Sequence, residues 1–220
     1  MIRLLLVFSI KWKLSLQEID FRELTNWTSE GLLSSPFIKI EKEKVKNKND
    51  NKRREGYTHA DIAFGDFSVN YSDQGKIKVN RDAKIFGIIE SKMKSNLSQE
   101  TVNCKNYNQI SRSVVCIASN IPNNFCKSFF VLVSPEKSPH IKIFNQQVNK
   151  ELILKQVKER FNYYTDEFKN ENNYLLVLKR INDMSVFKTS FEEWINLIPD
   201  ETDKKNLYAY YTKCLLHNRI

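Results

Sequence analysis

Residues 83–94 read Ala83-Lys-Ile-Phe-Gly-Ile-Ile-Glu90-Ser-Lys92-Met-Lys94. Ile85, Phe86, Ile88 and Ile89 have the make-up of a strand buried on both faces. Glu90 and Lys92 end that strand, with only Ser91 between them. Strand side chains alternate with period two, so both leave the same face, close together. A carboxylate and an ammonium at such a place are costly to bury unless they pair with each other, a metal or a ligand.

Upstream, Tyr57 to Tyr71 carries strand-forming residues with two embedded acids, Asp61 and Asp66. Ser72-Asp-Gln-Gly75 is a turn signal, Ile77 and Val79 form a short apolar alternation, and Asn80-Arg-Asp82 reads as a bulge or second turn. A tight hairpin near Gly75 sets Asp61 opposite Ile89 or Glu90, whereas a broad loop over 72–83 sets Asp66 there instead. An ambiguous turn leaves register open; Asp61, at the strand's entrance, is the favoured partner and Asp66 its rival.

Downstream, residues 93–101 form a polar loop beside the strand end. Cys104 to Asn120 follows as an amphipathic helix, with Tyr107, Ile110, Val114, Ile117 and Ala118 at helical spacing. Gln109 and Arg112 lie off that stripe, one turn apart. Ser128 to Ser134 is a buried strand ended by Pro135. Gln147 to Phe168 reads as one long helix with Leu152, Val157 and Phe161 inward, and Asn173 to Ile181 as a further strand. Phe191 to Ile198 and Lys204 to Leu216 close the chain as helices, where Trp194, Tyr208, Tyr210 and Tyr211 read as core or interface.

At the other end, Ser15-Leu-Gln-Glu18 has the form of a capping box opening a helix to about Leu33. Leu16, Ile19, Leu24 and Trp27 supply its stripe, and Glu23 and Glu30 fall near Trp27. The apolar run Met1 to Ile10 is too short to span a bilayer and lacks a small-residue cleavage site. It reads as a buried strand or helix start, and the protein as cytoplasmic. Residues 39–55, rich in Lys, Asn and Arg and including Arg53 and Arg54, predict a mobile basic loop.

The 220 residues fit a single domain with a real core, with a helical C-terminal addition over about 185–220. Lys and Arg outnumber Asp and Glu by 35 to 26, a net charge of +9 that suits a polyanionic partner. Cys104, Cys116, Cys126 and Cys214 show no CxxC, and His59, His140 and His217 are scattered. That spacing gives no basis for a zinc site or a Cys–His nucleophile, and reads as reduced thiols.

Glu-x-Lys at the end of an apolar strand, with upstream acids and a Gln-bearing helix downstream, resembles the signature of the PD-(D/E)xK nuclease superfamily. Ala60-Asp61 stands where that family often has Pro-Asp. The resemblance covers roughly Ser15 to Pro135. It implies an α/β restriction-endonuclease-like fold: an αβββαβ core with a mixed central sheet flanked by helices, here with C-terminal helical additions. It further implies Mg²⁺ (or Mn²⁺) held by Glu90, Asp61 or Asp66 and the Ser91 carbonyl, with Glu30 or Glu23 as a first-helix addition. Lys92 would then orient water or stabilise charge on the phosphate, and Gln109 would stand beside the catalytic cluster. Arg112, Lys94, Arg53 and Arg54 are the candidate phosphate contacts. The expected activity is phosphodiester hydrolysis in nucleic acid, with DNA favoured, in a restriction or phage-defence setting and compatible with a homodimer. The alternative is a non-catalytic nucleic-acid-binding or assembly module on the same fold.

Overall fold

The computed structural model describes residues 26–37, 57–98, 100, 104, 106–162 and 171–220. The capping box at Ser15, the run from Met1 to Ile10, Glu23 and the basic loop with Arg53 and Arg54 lie outside the described residues.

The fold is α/β, with seven strands in one mixed sheet: β1 (Asn26–Leu33), β2 (Thr58–Gly65), β3 (Phe67–Asn70), β4 (Lys76–Val79), β5 (Ile85–Ser91), β6 (Lys127–Ser134) and β7 (Ser185–Ser190). Six helices are described: α1 (Gln109–Asn120), α2 (Ile141–Gln147), α3 (Lys150–Asn162), α4 (Glu171–Asp183), α5 (Phe191–Asn196) and α6 (Glu201–Asn218). The strand order is β3-β4-β1-β2-β5-β6-β7. β1, β2 and β5 run antiparallel in turn, while β5, β6 and β7 are parallel neighbours. Parallel neighbours require a crossover, and α1 makes the one between β5 and β6.

β5 is buried on both faces, as its composition predicts. Phe86 and Ile88 enter the core shared with α1, α3 and α4, while Ile85 and Ile89 enter the opposite core with Phe129, Val131 and Trp194. Gly87 falls in the row of Ile85 and Ile89, where an ideal Cβ would sit 2.5 Å from the Phe129 ring.

The structure corrects several sequence expectations. Residues 26–33 are strand, not the end of a helix: seven residue pairs tie β1 to β2, and this pairing overrides the helical pattern. Trp27, expected on a buried stripe, is 39% exposed. The stretch from Asn173 to Ile181 is helix, not strand. Val177, Arg180, Ile181 and Met184 are buried at helical spacing, and the helix packs on α1; a short apolar run cannot by itself separate the two states. The last strand is instead β7, at the start of the segment expected to be wholly helical. The expected helix from Gln147 is broken at Val148–Asn149, where Asn149 Oδ1 accepts from Leu152 N at 2.9 Å and caps α3. Likewise α1 begins at Gln109 rather than Cys104, because Asn108 caps it by accepting from Ser111 N at 2.8 Å. None of the four cysteines is in a disulfide. Among the described residues no helix is long and apolar enough to cross a membrane.

The contact of Gly87 with Phe129 gives a direct test. Gly87→Ala should destabilise the fold by about 1–3 kcal/mol, since neither the Phe129 ring nor its backbone can yield freely. Urea unfolding checks it; a midpoint equal to wild type would show that β5 and β6 pack less closely than described.

Candidate active site

Glu90 is the last buried residue of β5, only 2% exposed. Lys92 extends the strand by donating its N–H to the Val133 carbonyl at 2.8 Å. Its Nζ returns to Glu90 Oε1 at 2.6 Å, the same-face pairing that period two requires. Gln109, the first residue of α1, donates Nε2 to that same oxygen at 2.6 Å. Glu90 Oε2 is buried and accepts no hydrogen bond. One carboxylate oxygen is therefore held by two donors, and the other is left without one.

Asp61 is brought to the same place. The ladder between β2 and β5 pairs Ile62 with Ile89, which sets Asp61 at the level of Glu90. There its Oδ2 accepts from Ser91 N at 2.7 Å, a side chain standing in for the next rung. Asp66 is not brought to Glu90. It lies at the opposite end of β5, accepting from Lys84 N at 2.8 Å and Ile85 N at 3.3 Å. The five residues from Ile85 to Glu90 put it about 17 Å away.

The remaining candidates divide. Arg112 turns to the start of β2, where Nη2 donates to the Tyr57 carbonyl at 2.9 Å. Lys94 is exposed beyond the strand end. Glu30 lies on β1 between the pairs Ser29–Ile62 and Gly31–Ala60, at the level of Asp61. Its exposed carboxylate is 3.9 Å from His59 Nδ1, and no described contact ties it to Asp61 or Glu90. Among the described residues no three His, Cys, Asp or Glu side chains converge, so the site offers two carboxylates and the backbone of Ser91.

Residues that the sequence reading missed hold Gln109 in place. Gln156 on α3 accepts from Ser111 Oγ at 2.7 Å and from Asn108 N at 3.3 Å, locking the first turn of α1. The signal was present: Ile153, Gln156, Val157 and Arg160 repeat at helical spacing, and a glutamine in a buried stripe needs a polar partner.

Burial pushes the Glu90 carboxyl above its usual range, and the nearby charge of Asp61 adds to the rise. The Lys92 ammonium and the Gln109 amide oppose it without cancelling it. Comparison of the chain with protein-family models, with characterised proteins and with solved structures finds no match.

A raised acid pKa means the folded protein holds its proton more tightly than the unfolded chain. The resulting stability is fully present below the unfolded carboxyl value, about 4.3, and is lost as pH rises through the folded value. Glu90→Gln mimics the protonated form at every pH. In chelator-containing buffer the variant should match wild type at acid pH and melt higher than wild type at neutral pH. A wild type more stable than the variant at neutral pH would mean that the Lys92 pairing outweighs burial.

Proposed function

We propose that the protein is a metal-dependent nuclease of the PD-(D/E)xK type, hydrolysing phosphodiester bonds in nucleic acid, with DNA the favoured substrate. The observation that carries this reading is the buried, unpartnered Oε2 of Glu90, set beside Asp61, Lys92 and Gln109. A buried carboxylate oxygen without a partner costs roughly 1–3 kcal/mol, a penalty a cation would relieve. Hard oxygens from two carboxylates suit Mg²⁺ or Mn²⁺.

The fold supports the same reading. Three strands in antiparallel succession, then α1, then a strand parallel to the third, match the βββαβ part of the core order that the resemblance implies. The β3–β4 hairpin is an insertion between the second and third of those core strands. The net charge of +9 suits a polyanionic substrate.

Glu90 and Asp61 would hold the ion, and the Ser91 backbone between them is already oriented by its bond to Asp61. Bound there, the ion supplies Lewis acidity toward the phosphate and lowers the pKa of an attacking water. Gln109 fixes the rotamer of Glu90, so Oε2 is presented without reorganisation when substrate arrives. Lys92, 13% exposed in its side chain, is held within reach of the same point. It would orient the water by hydrogen bonding and offset charge building on the phosphate oxygens.

Lys92 separates catalysis from binding. As one cation among many it adds little to polyanion affinity, but at the transition state its loss should slow cleavage about a hundredfold or more. Lys92→Ala should therefore retain nucleic-acid affinity and Mg²⁺-induced thermal stabilisation while losing metal-dependent cleavage of plasmid DNA. Lys94→Ala, an exposed charge control, should cut as wild type. Glu90→Ala should lose both cleavage and the Mg²⁺ stabilisation. If Lys92→Ala cuts as fast as wild type, the catalytic assignment fails. If wild type cuts neither DNA nor RNA with Mg²⁺ or Mn²⁺, the non-catalytic binding module takes its place.

A further inference from the structure

Another polar feature among the described residues lies at the other end of the sheet. Asn124, Phe125, Lys127 and Arg180 line a pocket of about 120 Å³ with Ser128 and Asp183. It opens where β6 begins. The pairing of Ile85 with Lys127 and of Glu90 with Leu132 places it about 17 Å along the sheet from Glu90.

Arg180 is the unusual group. It is 9% exposed, yet its Nε donates to Asn124 Oδ1 at 3.3 Å and its Nη1 to the Ala118 carbonyl at 3.0 Å, both neutral acceptors. Among the described residues no carboxylate lies within ion-pair distance of it, and Nη2 carries no hydrogen bond. Burial lowers its pKa, as expected for a cation in need of an anion. The carbonyl end of α1 offsets only part of the charge. The neighbouring Cys126 thiol is pushed up to about 12 by burial, so it stays neutral and supplies no anion itself.

Two further features narrow the ligand. Phe125, 91% exposed, lines the same pocket as Arg180 and leaves a flat ring open to solvent. Asp183 adds an acceptor suited to a hydroxyl or amine rather than to a second phosphate. We propose that this pocket binds a nucleotide, its phosphate on Arg180 and Lys127 and its base stacked on Phe125. The nucleotide is either free or the terminal residue of a strand. A planar guanidinium fork is the side chain best matched to phosphate oxygens, and stacking on an exposed aromatic ring tolerates any base. The site is independent of the Glu90 cluster.

Calorimetric titration of the full chain with adenosine 5′-monophosphate, adenosine and inorganic phosphate tests it. The monophosphate should bind more tightly than either fragment. Arg180→Gln should weaken it by about tenfold to a hundredfold. Because Arg180 also holds α1, Phe125→Ala is the decisive variant: an exposed ring can be removed without unfolding, and affinity should fall about tenfold while phosphate binding is unchanged. Glu90→Ala should bind the monophosphate as wild type does. A 5′-phosphorylated oligonucleotide that outbinds its 5′-hydroxyl form through Phe125 identifies a strand end as the ligand; equal binding of the two identifies free nucleotide. Adenosine binding as tightly as its monophosphate, no effect of Phe125→Ala, loss of binding in Glu90→Ala, or no binding at millimolar monophosphate would each overturn the proposal.

Discussion

A carboxylate buried at the end of a central strand, with one oxygen gripped and the other bare, is the constraint on which this structure depends. Glu90 can be held there only because three elements converge on it. β5 carries it between two apolar layers, the β6 rung to Lys92 N brings an ammonium back beside it, and the first turn of α1 delivers Gln109. Each has its own support. Asn108 and Gln156 fix the start of α1, and Gly87 allows β5 to lie against Phe129. Loosening any of these would let water reach Glu90 and hydrate the oxygen that now has no partner.

α1 ties the two ends of the molecule together. Its first residue faces Glu90, and the Ala118 carbonyl in its last turn faces Arg180. Twelve residues span about 18 Å, close to the separation of the Glu90 cluster and the Arg180 pocket along the sheet. The groups at both ends have the sign the helix dipole favours: the Arg180 cation meets the carbonyl end, and the Glu90 carboxyl stands at the amino end, engaged through the Gln109 side chain.

What could be read from the sequence was whatever local chemistry dictates. The apolar run at 85–89 admits only a buried element, and period two then forces Glu90 and Lys92 together. Gln109 was found because its helix has a clean stripe. What could not be read was set by partners distant in the chain. Residues 26–33 became strand because β2 and β4 lie on either side of them. The apolar run at 174–178 became helix because α1 and α3 offer it a face to cover. The short β7, Ser185–Ser190, is mostly half-buried at a sheet edge and carries almost no alternation of its own.

The selection of Asp61 over Asp66 also lies in long-range structure, and it has a physical cause in β1. Glu30 adopts φ 55, a left-handed conformation that costs a non-glycine residue roughly 1–2 kcal/mol. On the paired strand, Ala60 and Ala63 both enter the core beneath α1 although they are three residues apart, so the alternation of β2 is broken between them. Asp61 sits in that break. Released from the ordinary pleat, it lends its carboxylate to Ser91 N in place of a backbone rung, at the level of Glu90. Asp66 cannot reach Glu90, because its Oδ2 accepts from the two N–H groups that start β5, at the far end of that strand. The strained Glu30 thus lies at the level of Asp61, in the break of the ladder, while Asp66 secures the start of the strand that carries Glu90.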